Sequence, residues 1–222
     1  MAKLKNFATQ SARPLPVVIL ADTSGSMSVD GKIESLNLAL KEMLATFKNE
    51  SRLRVEIQVA IITFGSSANI FQPLTPAHTL PEWQDFSAAG STPLGGACHL
   101  AQELIEDKSQ IFSRAYKPVI ILLSDGQPTD DYEQSFQNLI NSERAKKATR
   151  LAMAIGNDAD IQLLADFNND IEASVFEAHQ ARDIQRFFRA VTMSVCARST
   201  SQNPDEIVPF IIPDDDNDEF PF

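Results

Sequence analysis

Leu15-Pro16-Val17-Val18-Ile19-Leu20-Ala21-Asp22-Thr23-Ser24-Gly25-Ser26-Met27 passes from an aliphatic, β-branched run directly into small polar residues. An apolar run without alternation reads as a strand covered on both faces, the habit of a parallel sheet between two helical layers. A polar turn, Asp22 to Asp30, follows it. Ile33, Leu36, Leu40, Leu44 and Phe47 then recur at three- and four-residue spacing and mark an amphipathic helix ending near Asn49.

Working outward, the alternation of strand and helix continues. Leu53 to Phe64 reads as a strand, and Ala68 to Phe71, just past Gly65, as a short strand able to pair with it as a hairpin. The stretch from Gln72 to Pro93 holds Pro73, Pro76, Pro81 and Pro93 and reads as a loop excursion over a scaffold. Helices are expected at Gly95–Phe112, Tyr132–Thr149, Ile161–Phe167 and Ala181–Cys196, and strands at Val119–Leu123, Leu151–Ile155 and Val175–Ala178. The order β-α-β-β-α-β-α-β-α-β-α implies parallel crossovers. The fold class is therefore α/β: a doubly wound, mostly parallel six-stranded sheet with one antiparallel edge strand and helices on both faces. Residues 1–13 read as an N-terminal arm, 14–198 as the domain and 199–222 as an acidic and apolar tail. No internal repeat is found.

Composition bounds the function. The 222 residues are 43% hydrophobic, enough for one ordinary domain, and carry a net charge of −11. Asp205, Glu206, Asp214, Asp215, Asp216, Asp218 and Glu219 follow the last basic residue, Arg198, so most of that excess belongs to the tail. A nucleic-acid footprint is excluded, because a net-negative surface is repelled by phosphates and displaces no counterions from them. Cys98 and Cys196 form neither a disulfide framework nor a zinc spacing, which suits a reducing, cytoplasmic location. The N-terminal lysines precede no apolar segment, so neither a secretory leader nor a membrane span is read.

In doubly wound sheets ligands bind at the carboxyl ends of the strands, where the strand order reverses. Three polar loops follow buried strands or close the excursion: Asp22-Thr23-Ser24-Gly25-Ser26-Met27, Gly90-Ser91-Thr92-Pro93-Leu94-Gly95-Gly96, and Ser124-Asp125-Gly126-Gln127-Pro128-Thr129-Asp130-Asp131. Asp22, Ser24 and Ser26, joined by Thr92 and Asp125, supply five oxygen groups, two of them charged, and no nitrogen or sulfur. Such a hard donor set suits Mg²⁺; Ca²⁺, which prefers more carboxylates, ranks second, Mn²⁺ is also admitted, and Zn²⁺ is disfavoured.

Asp22-Thr23-Ser24-Gly25-Ser26 resembles the D-x-S-x-S signature of the metal-ion-dependent adhesion site of von Willebrand factor type A domains, and Thr92 and Asp125 fall where that family has its distal threonine and aspartate. The resemblance spans roughly Leu15 to Val195. It implies that Ser24, Ser26 and Thr92 contact Mg²⁺, that Asp22 and Asp125 do so directly or through water, and that a partner protein's Asp or Glu fills the free position. It also implies a last helix that shifts between low- and high-affinity states. LPVVILADTSGSM, GSTPLGGA and LLSDGQPTDD are further similar to bacterial type A proteins of the TerY kind, of tellurium-resistance and stress-response clusters. That likeness implies a protein kinase or a PP2C-type phosphatase as partner. Cys98-His99 and the acidic tail depart from it.

Other residues carry plainer readings. Asp130 and Asp131 read as N-cap and first-turn acids of the third helix. His78, His99 and His179 read as packed or surface residues, and both cysteines as small buried fillers. Trp83, near Phe86, reads as pinning the excursion to the body, with a contact role beside the site as the alternative. Catalysis is not expected. A metal-dependent phosphohydrolase and a scaffold with a purely structural metal are the alternatives, but Ser24 stands where a haloacid-dehalogenase-like pattern has its second acid, and neither a G-x-S-x-G elbow nor a phosphate-cradling G-K-[ST] is present. The tail reads as a solvated end, yet its apolar Ile207–Pro213 beside acids suggests a docking peptide whose Asp214 to Glu219 could enter the metal site of another copy or of its own domain.

Overall fold

The computed structural model describes residues 12–50, 54–169, 174–206 and 210–212. Its strands are β1 (Arg13–Asp22), β2 (Val55–Phe64), β3 (Ala68–Pro76), β4 (Val119–Ser124), β5 (Thr149–Ile155) and β6 (Phe176–Ala178), and its helices α1 (Lys32–Asn49), α2 (Leu94–Glu106), α3 (Glu133–Asn141), α4 (Ile161–Phe167) and α5 (Ala181–Thr200). The strands form one sheet in the order β3-β2-β1-β4-β5-β6. All pairings are parallel except β2 with β3, the hairpin expected after Gly65.

The aliphatic run is the centre of this sheet. Ile19 of β1 pairs with Ile61 of β2 on one side and Ile121 of β4 on the other. Successive side chains point to opposite faces, so each run feeds two cores. Val17, Ile19 and Ala21 join Ile121 and Leu123 beneath α1 and α5. Val18 and Leu20 join Ile120 and Leu122 beneath α2, α3 and α4. Double coverage explains why these strands are apolar throughout.

Local chemistry sets the helix ends. Helix α5 opens with a capping box in which the Asp183 carboxylate accepts the Gln180 N–H at 2.8 Å. Helix α2 stops at Glu106, six residues before the apolar pattern does, because the Asp107 carboxylate accepts hydrogen bonds from the Ser109 N–H and hydroxyl at 2.8 and 2.7 Å and turns the chain locally. Helix α3 is also shorter than its pattern, ending at Asn141. There the Arg144 guanidinium donates to the carbonyls of Ile105 and Ile111, at 2.9 and 2.6 Å, and draws the chain against the end of α2. Strand β3 runs on to Pro76, into what the prolines suggested was loop; its position on the sheet edge tolerates them.

The excursion is pinned as its aromatic residues suggested. Trp83 and Phe86 meet edge-on at 5.0 Å, and Phe71 of β3 meets Phe86 at 4.7 Å. Beneath them, buried Asn37 of α1 accepts the Phe86 N–H at 2.8 Å and donates to the Phe86 carbonyl at 3.0 Å. At the opposite end of the sheet from Asp22, Phe210 stacks edge-on against Phe187 at 5.4 Å, and Ile212 packs on the same core. Ile207–Pro209 and Pro213 to Phe222, including the acids of the suggested docking peptide, lie outside the described residues. Among the described residues, no helix is long and apolar enough to cross a membrane.

Candidate metal centre

Strand order reverses between β1 and β4: from β1 the chain moves to β2 on one side, and β4 leads to β5 on the other. Asp22 ends β1 and Asp125 directly follows β4, so both carboxylates stand at the crevice that such a reversal opens. Both are almost wholly buried.

Backbone hydrogen bonds tie the three sequence-identified loops together. The Thr23 carbonyl accepts from Ala89 N–H at 2.8 Å, and the Gly90 carbonyl from Gly25 N–H at 3.0 Å. Thr92 N–H donates to the Thr129 hydroxyl, and Thr129 N–H returns a bond to the Thr92 carbonyl, both at 3.0 Å. Gly90 makes this approach possible: its φ is +82°, and a Cβ there would lie 2.5 Å from Ser66 Cα.

The side chains converge. Ser26 Oγ donates to Asp125 Oδ1 at 2.7 Å, Ser24 Oγ lies 3.4 Å from the same oxygen, and the two hydroxyls are 3.0 Å apart. Asp22 stands behind them, its Oδ1 accepting the Ser24 N–H at 2.8 Å and its Oδ2 the Ser124 hydroxyl at 2.7 Å. Thr92 faces the third loop: a Cβ placed on Gly126 would lie 4.0 Å from its Oγ1. Burial raises the Asp22 pKa above the usual carboxylate value of 3.8; hydrogen bonds from Ser24 and Ser124 oppose that rise, while the Asp125 charge adds to it. The two buried carboxylates stand close enough for the Asp125 charge to bear on Asp22.

Three participants escaped the sequence reading. Lys32, the first residue of α1, places Nζ 2.8 Å from Asp125 Oδ2; its only sequence signal was a cation in a helix's first turn, where acids are favoured. Ser124 looked like the polar end of a strand but fixes Asp22. Asp130 was expected to cap α3, yet α3 begins at Glu133 with Tyr132 at its N-cap. The Asp130 carboxylate instead accepts the Gly95 and Gly96 N–H groups at 3.1 and 3.2 Å and so caps α2, whose own N-cap residue, Pro93, makes no side-chain cap. Of the histidines, His99 faces Glu103 at 3.4 Å on an exposed helix face, while His179 faces Glu177 at 3.7 Å and lines the groove that Ser26 and Lys32 border. Among the described residues, no group of three or more His, Cys, Asp and Glu could hold a metal ion. Hydroxyls dominate the donor set around Asp22 and Asp125.

A doubly wound domain with a hydroxyl-and-carboxylate cluster at its switch point defines a recognised class. A family model of the von Willebrand factor type A domain matches residues 17–190, and the chain belongs to that family. Domains of this family are metal-dependent adhesion and protein-interaction modules. Similar solved structures include a von Willebrand factor type A protein from Catenulispora acidiphila, 21% identical with a TM-score of 0.61, covering 82% of this chain and 43% of that one. The pilus adhesin SpaC from Lactobacillus rhamnosus GG is 14% identical with a TM-score of 0.66, covering 86% and 32%. Proximal thread matrix protein 1 from the mussel byssus, whose MIDAS motif is occupied by zinc in that structure, is 17% identical with a TM-score of 0.59, covering 84% and 46%. This chain thus spans a third to a half of those chains, and the likeness is one of fold.

Proposed function

We propose that Ser24, Ser26, Thr92 and Asp125, with Asp22 behind them, hold a Mg²⁺ ion that grips an Asp or Glu of a partner protein. The observation that carries this reading is the meeting of two hydroxyls and a buried carboxylate oxygen within 3.4 Å at the strand-order reversal. These are hard oxygen donors, suited to Mg²⁺ or Mn²⁺. Zn²⁺, disfavoured from the donor types, occupies the corresponding motif of the mussel protein and belongs among the ions to be titrated. When bound, the ion supplies an electrophilic centre for one more anionic oxygen. The chain's own contribution is placement: Ser24 and Ser26 are aimed by the turn after β1, Asp125 by β4, and Thr92 by its paired bonds with Thr129.

Binding rather than catalysis is favoured by the surroundings of the aspartates. Asp22 is engaged by Ser24 and Ser124, and Asp125, although it accepts from the Ser26 hydroxyl, is ion-paired with Lys32, which makes it a poor base for activating that hydroxyl. The partner class implied by the TerY-like stretches is a kinase or PP2C-type phosphatase of a cytoplasmic stress response. An acid among Asp214 to Glu219 of a second copy would be a competing occupant.

The test is titration calorimetry with Mg²⁺, paired with capture of partners from lysate in Mg²⁺ or excess EDTA. Wild-type protein is expected to bind the ion and to lose its partner in EDTA. Thr92→Ala is expected to weaken Mg²⁺ at least tenfold with little effect on stability, since the Thr92 backbone bonds remain. Partner capture that persists in EDTA would refute the reading, and Mg²⁺-stimulated phosphatase activity would favour a phosphohydrolase.

A further inference from the structure

Lys32 is placed against the preference of its own helix. A cation in the first turn of α1 faces the positive end of the helix dipole, and it does nothing for the start of α1, since an ammonium has no acceptor for the first-turn N–H groups and the N-cap is Gly31. The side chain nevertheless reaches a carboxylate that is fully buried, while itself being 18% exposed. Space is left for it by Gly156, where a Cβ would lie 3.2 Å from Nζ and would crowd the ammonium.

The two oxygens of Asp125 thereby have separate duties. Oδ1 faces the Ser24 and Ser26 hydroxyls, and Oδ2 faces Lys32. Lys32 also lines, with Ser26, an open groove of about 340 Å³ beside the centre, bounded further by Asn157, Asp158 and Gln180. Its charge therefore lies at the edge of the site, where incoming ligands must pass.

Building on the Mg²⁺ reading above, we propose that Lys32 is a fixed countercation of this centre. It is a positioning residue that turns Asp125 Oδ1 toward the hydroxyls and cancels one of the two carboxylate charges that would otherwise face the ion. A bound divalent ion is then held by about one net protein charge in place of two. The ion is bound more weakly than the donor set alone would allow, and it retains more demand for an external carboxylate. Without metal, the same ammonium relieves the repulsion between Asp22 and Asp125.

Lys32→Met keeps the aliphatic stem and removes the charge, and Lys32→Arg keeps the charge. Calorimetry is expected to show Mg²⁺ binding about tenfold tighter in Lys32→Met, equivalent to about 1.4 kcal/mol, and close to wild type in Lys32→Arg. Thermal melts supply a second readout. In EDTA, Lys32→Met is expected to melt below wild type, and saturating Mg²⁺ should close that gap. Unchanged or weaker Mg²⁺ binding by Lys32→Met, or equal melting temperatures in EDTA, would overturn the role of Lys32 while wild-type binding upholds the metal centre. Failure of both wild type and Lys32→Met to bind Mg²⁺ would overturn both.

Discussion

Cys98, in the helix that follows Thr92, shows how burial can silence a thiol. It is fully buried in α2, and burial, with the Asp130 charge adding to it, pushes its thiol pKa up to about 12 from an ordinary 9.0. The native state therefore keeps the proton that the unfolded chain gives up above pH 9. This contribution to stability is fully present below pH 9 and is lost as the pH rises toward 12. Denaturation midpoints followed from pH 8 to 11 should fall more steeply for wild type than for Cys98→Ala, and an alkylating reagent should leave Cys98 unlabelled in the native protein at pH 8. Asp22 has the same sign at lower pH. Its raised carboxyl favours folding below its unfolded value of 3.8, and that advantage is lost on ionisation unless a cation faces it.

At the level of elements, the N-terminus of α2 is the joint on which Thr92 depends. Its cap comes from Asp130, a residue of the loop after β4, so the second and third loops hold each other. Asp130→Ala should lower stability by about 1 kcal/mol, the usual cost of losing a helix cap, measured by urea denaturation. It should also weaken Mg²⁺, because Thr92 then rests on its Thr129 bonds alone. A stability loss with undiminished Mg²⁺ binding would show that α2 is capped independently of the site. Asp130 was read for the wrong helix because sequence distance ranks it beside α3. The carboxylate reaches the first-turn N–H groups of α2 only because the chain crosses back through α2 to β4, which sets the start of α2 and the loop after β4 at the same end of the sheet.

On the scale of the whole molecule, the site occupies one end of the sheet and the chain's last described residues the other. Asp205 accepts the Lys117 N–H at 2.7 Å, and Arg198 donates to the carbonyls of Pro204 and Lys117, both at 2.8 Å, so the segment after α5 is fastened beside the start of β4. A chain ending at Pro204 loses the Asp205 bond and the Phe210 packing and should be less stable by about 2 kcal/mol. A chain ending at Ile212 keeps both and should melt as wild type does, while removing every acid from Asp214 onward. If those acids compete for the metal centre, the Ile212 truncation should bind its partner more tightly or change its oligomeric state in sedimentation. No change in either would dismiss them as ligands.

The alternation of unbroken aliphatic runs with 3.6-residue patterns was sufficient for the α/β architecture, because covering a sheet on both faces demands that composition. The Asp22-Thr23-Ser24-Gly25-Ser26 turn, Thr92 and Asp125 were legible as a set because small oxygen-bearing residues beside glycine are conspicuous after buried strands. Lys32, Ser124 and Asp130 were not, since a lysine at a helix start, a serine at a strand end and an aspartate in a loop are ordinary in sequence. Their roles arise from contacts across 93, 102 and 35 residues of chain respectively. Local chemistry determined which oxygens were available; only the packing of β1 against β4 decided which charge each one faces.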